Sequence, residues 1–354
     1  MKKNIGLLTL VLLLVLTAAC SSSGSSTNSS SNSSTDSSTS SSESSEEANE
    51  EGEAAWPTDT VRLILPFSAG GSTDRMARSL ASHWEKQLDG HSMIVENYGG
   101  SGGILGATQF LNAKDDGNTI FMGVQPTISM NILAQGADFS LDDFIVINIE
   151  QSDYADILVK ADSPYETLEE LIEDARNNPG KLSIGTAPGS GTQLFGLAFI
   201  DAFDVDINVV TYDGGGDVRT ALLGGHIDLA TGSAFGDMSL GDEVRVLAVA
   251  SSEPFQGWPD AIPVNDALDN GAIPNIGDNR FIAVHRTFAE NNPKAFEKLV
   301  ETYRLTFESE EYQEHMKSTG SDIISQYLGQ EGSKKVMDEL HEVVDQYKDL
   351  LKGN

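Results

Sequence analysis

Val61-Arg62-Leu63-Ile64-Leu65-Pro66-Phe67-Ser68-Ala69-Gly70-Gly71-Ser72-Thr73-Asp74 decides how this chain is read. A short apolar run meets a proline, and two glycines and two hydroxyl residues follow. Then Met76, Leu80, Trp84 and Leu88 recur every four residues, the stripe of an amphipathic helix. The order is strand, tight loop, helix. A loop that feeds a helix N-terminus presents unpaired backbone N–H groups and the positive end of the helix dipole, so it suits an anion.

The pattern returns further on. Leu182-Ser183-Ile184 reads as a strand, Gly185-Thr186-Ala187-Pro188-Gly189-Ser190-Gly191-Thr192 as a loop, and Leu194, Phe195, Leu197 and Ala198 as the helix after it. Around these two units, strands are expected at Ser92–Glu96, Thr119–Val124, Phe144–Ile149, Ala155–Val159, Val209–Tyr212, Ile227–Ala230, Val244–Ala250 and Phe281–Val284. Helices are expected from Leu105, over Thr167–Asn177, Val218–Leu223, Pro293–Phe307 and Lys334–Leu351. Strands alternating with helices at this spacing indicate an α/β fold with a mainly parallel sheet. Pro254–Gly277, rich in Pro, Gly and Asn, reads as irregular.

The chain starts differently. Met1-Lys2-Lys3 is basic, Ile5–Leu16 is apolar but too short for a comfortable membrane span, and Thr17-Ala18-Ala19 lead to Cys20. This is a signal peptide over 1–19. Its end resembles a lipoprotein signal box, in which the cysteine is lipidated and becomes the mature N-terminus. Leu16 sits one place earlier than the usual leucine, and Thr17 takes that place. Residues 20–56 are almost wholly Ser, Thr, Asn and Glu after the cysteine, a composition that reads as a flexible tether.

Composition excludes several classes. Lys+Arg number 22 against 54 Asp+Glu, for a net charge of −32. Residues 1–56 hold seven acids against Lys2 and Lys3, so most of the excess belongs to the folded body. Nucleic acid and anionic lipid are poor partners for such a surface; a salt-tolerant source suits it. With Cys20 alone there is no internal disulfide and no cysteine-based zinc site, and the six histidines show no metal motif. Gly180-Lys181 is followed by Leu182 rather than Ser or Thr, which rules out a phosphate loop. Pro188 stands where a hydrolase elbow around Ser190 needs glycine. No catalytic constellation, cofactor or metal is expected.

Each donor loop also has a purely architectural reading. Ser72 or Thr73 could simply cap one helix and Thr192 the other. Two such loops in one exported α/β body favour a clamp instead, with N–H and O–H donors and no fixed positive charge. Donors of this kind are worth about 1.5–3 kcal/mol per bond to a charged group. Asp74 favours the dipole but repels an anion, so its expected task is to hold the loop. Contact through water, or with a ligand amine, stays open. Tyr212 either closes the cleft or ends a buried strand.

Pro66–Asp74 with Ala77-Arg78 resembles the start of the Bug/TctC family, the solute receptors of tripartite tricarboxylate transporters. Val95-Glu96-Asn97 with the following Gly-Gly-Ser-Gly-Gly, Asp116-Gly117-Asn118-Thr119, Gly185–Thr192, Tyr212-Asp213-Gly214-Gly215 and Leu223-Gly224-Gly225-His226-Ile227-Asp228 fit the same pattern, over about residues 57–354. The resemblance implies a two-lobed periplasmic-binding-protein fold (type II-like), with residues 57–155 and 279–354 in one lobe and 156–278 in the other. It implies a monomer, not an enzyme, held outside the cell membrane through Cys20. It implies that Phe67, Ser68, Gly70, Gly71, Ser72, Thr73 and Asp74 face Gly185, Thr186, Ser190, Gly191 and Thr192 across a small carboxylate. Tyr212, Asp213 and Gly214 lie nearby, and the partners are the permease subunits of the transporter. A sensor kinase fed by a receptor of the same fold is the alternative. Asp213 stands where the family usually has lysine, and the histidine often found shortly after Gly-Thr is missing. Monocarboxylate, dicarboxylate, tricarboxylate and amino acid therefore all stay open.

Overall fold

The computed structural model describes residues 56–268 and 272–352. The signal peptide, Cys20 and the tether up to residue 55 lie outside the described residues; Trp56, expected as the tether's last residue, is instead buried and donates its indole N–H to Gly117 O at 3.0 Å. The chain runs β1 (Val61–Leu65), α1 (Ser72–Trp84), β2 (Met93–Asn97), α2 (Ile104–Leu111), β3 (Thr119–Gln125), α3 (Thr127–Leu133), β4 (Phe144–Lys160), α4 (Leu168–Asn177), β5 (Ser183–Thr186), α5 (Gly191–Phe203) and β6 (Asn208–Thr211). It continues through α6 (Gly215–Leu223), β7 (Leu229–Ser233), α7 (Ala234–Asp237), β8 (Val244–Val249), β9 (Ile262–Pro263), β10 (Gly277–His285), α8 (Arg286–Asn291), α9 (Pro293–Glu308), α10 (Glu310–Thr319) and α11 (Gly329–Leu351).

The strands are ordered β2-β1-β3-β10-β4-β7-β5-β6, with β8 on β4 and β9 on β8. β1 pairs in parallel with β2 and β3, and β5 in parallel with β6 and β7. β10 and β4 enter antiparallel to their neighbours, so the sheet is mixed around these two strands. Residues 144–154 of β4 pair with β10, and its later residues pair with β7 and β8. One strand thus serves both halves of the sheet.

Helices cover both faces. Leu80, Trp84, Leu299 and Tyr303 pack with Leu63 and Ile282 on one side of the first half. Phe110, Phe121, Phe144 and Phe281 fill the other side. In the second half, Leu171, Phe195 and Phe199 pack under Ile157 and Ile184, while Val218 and Leu222 cover Leu158 and Ala230. The expected stripe of α1 is wholly buried. Gly106 lets α2 meet the proline of the opening stretch: a Cβ there would lie 2.4 Å from Pro66 Cα.

Two strands expected at Phe144–Ile149 and Ala155–Val159 form a single 17-residue strand. The polar residues between them suggested a break, but Gln151, Ser152 and Asp153 each find a partner within the protein. Gln151 accepts from Arg280, Ser152 donates to Asn279, and Asp153 accepts from Ser233 Oγ and Phe235 N–H. With side chains satisfied, the backbone ladder runs through. Helices α3, α7, α8 and α10 were not anticipated.

Glu150, at the middle of β4, is 0 % exposed and accepts hydrogen bonds from Tyr303 and Tyr312. Burial raises its carboxyl from 4.5 to about 7, against the opposing pull of the two tyrosine hydroxyls. The folded state therefore holds a proton over a range where the unfolded chain has released it. Stability is full below the lower value and falls as pH rises toward the upper one, by about 3 kcal/mol in all. Glu150→Gln should abolish this slope between pH 4.5 and 7. Urea denaturation of both proteins across that range measures it, and parallel curves would refute the assignment.

Candidate functional site

The opening stretch ends at α1, whose N-cap is Gly71, with no side-chain cap. The hydroxyls of Ser72 and Thr73 are not consumed in capping. They meet Arg280, whose Nη2 donates to Ser72 Oγ at 3.3 Å and whose Nε donates to Thr73 Oγ1 at 3.4 Å. Arg280 is 5 % exposed. It also donates to Gln151 Oε1 at 3.3 Å and lies 3.9 Å from Asp153 Oδ2. The first loop therefore has a fixed positive charge beneath it, contrary to the expectation of neutral donors alone. The sequence reading began the last strand at Phe281, one residue too late to include this arginine. A lone basic residue in a strand of buried neighbours was the available signal.

Asp74 is 3 % exposed and its oxygens are occupied. Oδ2 accepts from Gly70 N–H at 2.8 Å and from Arg78 Nε at 3.1 Å; Oδ1 accepts from Asn97 Nδ2 at 3.0 Å. Burial alone would raise its pKa, but the bonds from Arg78, Gly70 and Asn97 outweigh it and hold the carboxyl below its ordinary value. Asn97 also donates to Phe67 O at 3.1 Å, tying β2 to the loop. Ser68, Gly70, Gly71 and Ser72 stay exposed.

The second loop caps α5 through Ser190 rather than Thr192. Ser190 Oγ accepts from Gln193 N–H at 3.3 Å, donates to Ala187 O at 2.6 Å and meets Thr192 Oγ1 at 2.8 Å. The loop rests on α3 at one point and on β10 at another. Thr127 Oγ1 donates to Gly189 O at 3.1 Å, and Gly191 N–H donates to Asp278 Oδ1 at 3.2 Å. Gly185 is buried against Ile227, with the edge of the Tyr212 ring 3.5 Å from where a Cβ would stand. Tyr212 thus packs over the start of the loop. Gly214 is the N-cap of α6, and Asp213 is exposed beside it.

Both loops meet one strand. Asp278 and Arg280 are two residues apart on β10, so their side chains leave the same face. Asp278 serves Gly191 and Arg280 serves Ser72 and Thr73. Beside Asp278 a cavity of about 110 Å³ opens, lined by Ser190, Thr192, Gly215, Arg219, Ser233 and Asp237 among others. Burial raises the carboxyls of Asp278 and Asp237, opposed by Arg280 and Arg219 respectively. A larger cavity of about 440 Å³, walled by Met238, Arg245 and Trp258, contains no residue of either loop.

Comparison with known proteins agrees with this architecture. Residues 76–348 match the family model described as "Tripartite tricarboxylate transporter family receptor". A protein of Cupriavidus necator, the "UPF0065 protein in gbd 5'region", is 30% identical over 267 residues, covering 74% of this chain and 78% of its own. The crystal structure of a TctC solute binding protein from Polaromonas, 25% identical, superposes with a TM-score of 0.71 and covers 84% of this chain and 100% of its own. MatC from Rhodopseudomonas palustris, solved with bound malate, shares the fold at 22% identity and a TM-score of 0.66, again over 84% of this chain and 100% of its own.

Seating of the second loop depends on Gly191. A Cβ there would lie 2.8 Å from the carbonyl carbon and oxygen of Gly277. Gly191→Ala should lower stability by about 1–3 kcal/mol through this overpacking. Urea midpoints report it, and an unchanged midpoint would show that the contact yields without strain.

Proposed function

This chain belongs to the tripartite tricarboxylate transporter receptor family, and on that footing we propose that it captures a small organic carboxylate outside the cell and passes it to a membrane permease. The observation that carries the reading is the buried Arg280 guanidinium beneath the Ser72 and Thr73 hydroxyls. A fixed cation, two hydroxyls and the N-terminus of a 13-residue helix converge on one spot, which favours a carboxylate by charge, hydrogen bonding and dipole together.

The ligand-facing set comprises Phe67, Ser68, Gly70, Gly71, Ser72 and Thr73 on one side, with Asp74 holding that loop in shape. Gly185, Thr186, Ser190, Gly191 and Thr192 stand opposite, and Tyr212, Asp213 and Gly214 form the rim. Two lobes, 57–155 with 279–354 and 156–278, close on the ligand about the shared strands β4 and β10. Binding shifts the population toward the closed form because that form alone engages both loops. The malate held by MatC, a protein of the same fold, is the kind of ligand meant. Lipid on Cys20 anchors the receptor, the Ser-rich stretch gives it reach, and it works as a monomer and not as an enzyme.

Calorimetry against a panel of mono-, di- and tricarboxylates tests the reading; silence across the whole panel would sink it. Arg280→Lys keeps the charge but loses the planar fork, and should weaken the best carboxylate about tenfold or more. Equal affinity would remove Arg280 from the site. Cys20→Ala should move the expressed protein from the membrane fraction to the soluble one. A protein that stays with the membrane in both forms would rule out the lipid anchor.

A further inference from the structure

The second donor loop is held from outside as well as by its own helix. Gly189 N–H donates to Gln193 Oε1 at 2.8 Å, which closes the loop on α5. The Gly189 carbonyl is left for α3, where Thr127 Oγ1 donates to it at 3.1 Å. Thr127 opens α3, yet Pro126 is the N-cap and no side chain caps the helix, so the hydroxyl has no capping task. Gln135, just past the end of α3, reaches the same loop. A Cβ at Gly189 would stand 3.5 Å from Gln135 Nε2, and one at Gly102 would stand 3.0 Å from Gln135 Oε1. The one amide therefore lies against two glycine loops. Asn131, 1 % exposed, steadies it: Nδ2 donates to Gly102 O at 3.0 Å and to Gln135 Oε1 at 3.3 Å. The loop that holds Gly102 also packs on the first donor loop, since a Cβ at Gly99 would lie 2.7 Å from Ser68 Oγ. Contacts thus run from the first donor loop, through residues 99–103 and α3, to the second.

Resting on the two-lobed carboxylate-receptor reading, we propose that Thr127 and Gln135 form a latch: they are positioning residues that hold the second donor loop over a bound carboxylate and so set how long it stays. In that reading Thr127 and Gln135 fall in 57–155 and Gly189 in 156–278, so their contacts cross from one lobe to the other. A bond made only when the loops are together stabilises the bound form. It does not stabilise the encounter, which begins with the loops apart. It therefore slows release and leaves capture alone. Gly189 is also well placed to transmit the hold, because Ser190, Gly191 and Thr192 follow it directly. Neither Thr127 nor Gln135 has to touch the ligand. A second tie crosses the same boundary elsewhere: Tyr347 on α11 donates to Asp201 Oδ2 at 3.0 Å. Asp201 lies near the C-terminal end of α5, away from the donor loop at its start, so this tie serves as the control.

Lactate, succinate, malate, adipate and citrate are titrated calorimetrically into the full-length protein, and the tightest binder is taken into kinetics. Relaxation dispersion of its own proton signals gives the dissociation rate, or an isotope chase where release is slower. Division by Kd gives the association rate. Thr127→Val should raise the dissociation rate about three- to tenfold, the factor a neutral hydrogen bond carries, with association unchanged within about twofold. Thr127→Ser keeps the hydroxyl and should restore wild-type release. Gln135→Ala should speed release in the same sense, and Tyr347→Phe should leave it as in the wild type. Wild-type release from Thr127→Val, or slowed association in place of faster release, would overturn the latch and leave the carboxylate receptor standing. Equal acceleration by Tyr347→Phe would overturn it too. Silence of the wild type across the panel would overturn the receptor reading and the latch with it. If Thr127→Val fails to fold, Gln135→Ala, a change on an exposed side chain, decides.

Discussion

A guanidinium buried to the degree of Arg280 cannot stand alone. Its desolvation is offset only by close acceptors, and the fold supplies them from two different elements: Gln151 and Asp153 on β4, and the hydroxyls of Ser72 and Thr73 on α1. Satisfying this one group fixes the position of the first helix relative to the middle of the sheet. Asp153 is fixed in turn by Ser233 and by the backbone of Phe235. The charge network therefore runs from the first donor loop through β10 and β4 to β7, the strand that walls the cavity beside the second loop. Remove the arginine and Asp153 loses its cation while two hydroxyls lose their donor.

Much of the architecture was legible in the sequence because the signals were local. The four-residue stripe from Met76 to Leu88, the glycine loops and the apolar strand runs all report on neighbours within a turn or a pleat. The α/β class and the family followed. The site was legible only in part. The loop residues announced themselves through glycine and hydroxyl content, yet the charges beneath them did not. Arg280 lies more than two hundred residues from Ser72 in the chain, and nothing local marks it as their neighbour.

The misread of β4 has the same origin. Glu150-Gln151-Ser152-Asp153-Tyr154 has the composition of a connection, and composition is judged against water. Here the solvent for those side chains is the protein itself: tyrosines 303 and 312, Arg280, Asn279 and Ser233 take the place of water. The caps follow this pattern on a smaller scale. Ser190 rather than Thr192 caps its helix, while Ser72 and Thr73 cap nothing, because their hydroxyls answer to Arg280.

Strand alternation on β10 has one more consequence. Asp278 and Arg280 face the loops, and Asn279 between them faces Gln125 and Ser152. A slip of one residue in the pairing of this strand would present asparagine and phenylalanine to the loops and send both charges to the opposite side. The charge that β10 presents to each loop is thus an arithmetic property of ladder register, odd or even. The bulges that β10 and β4 carry between Arg280 and Phe281, and between Ile282 and Ala283, sit where that parity is set.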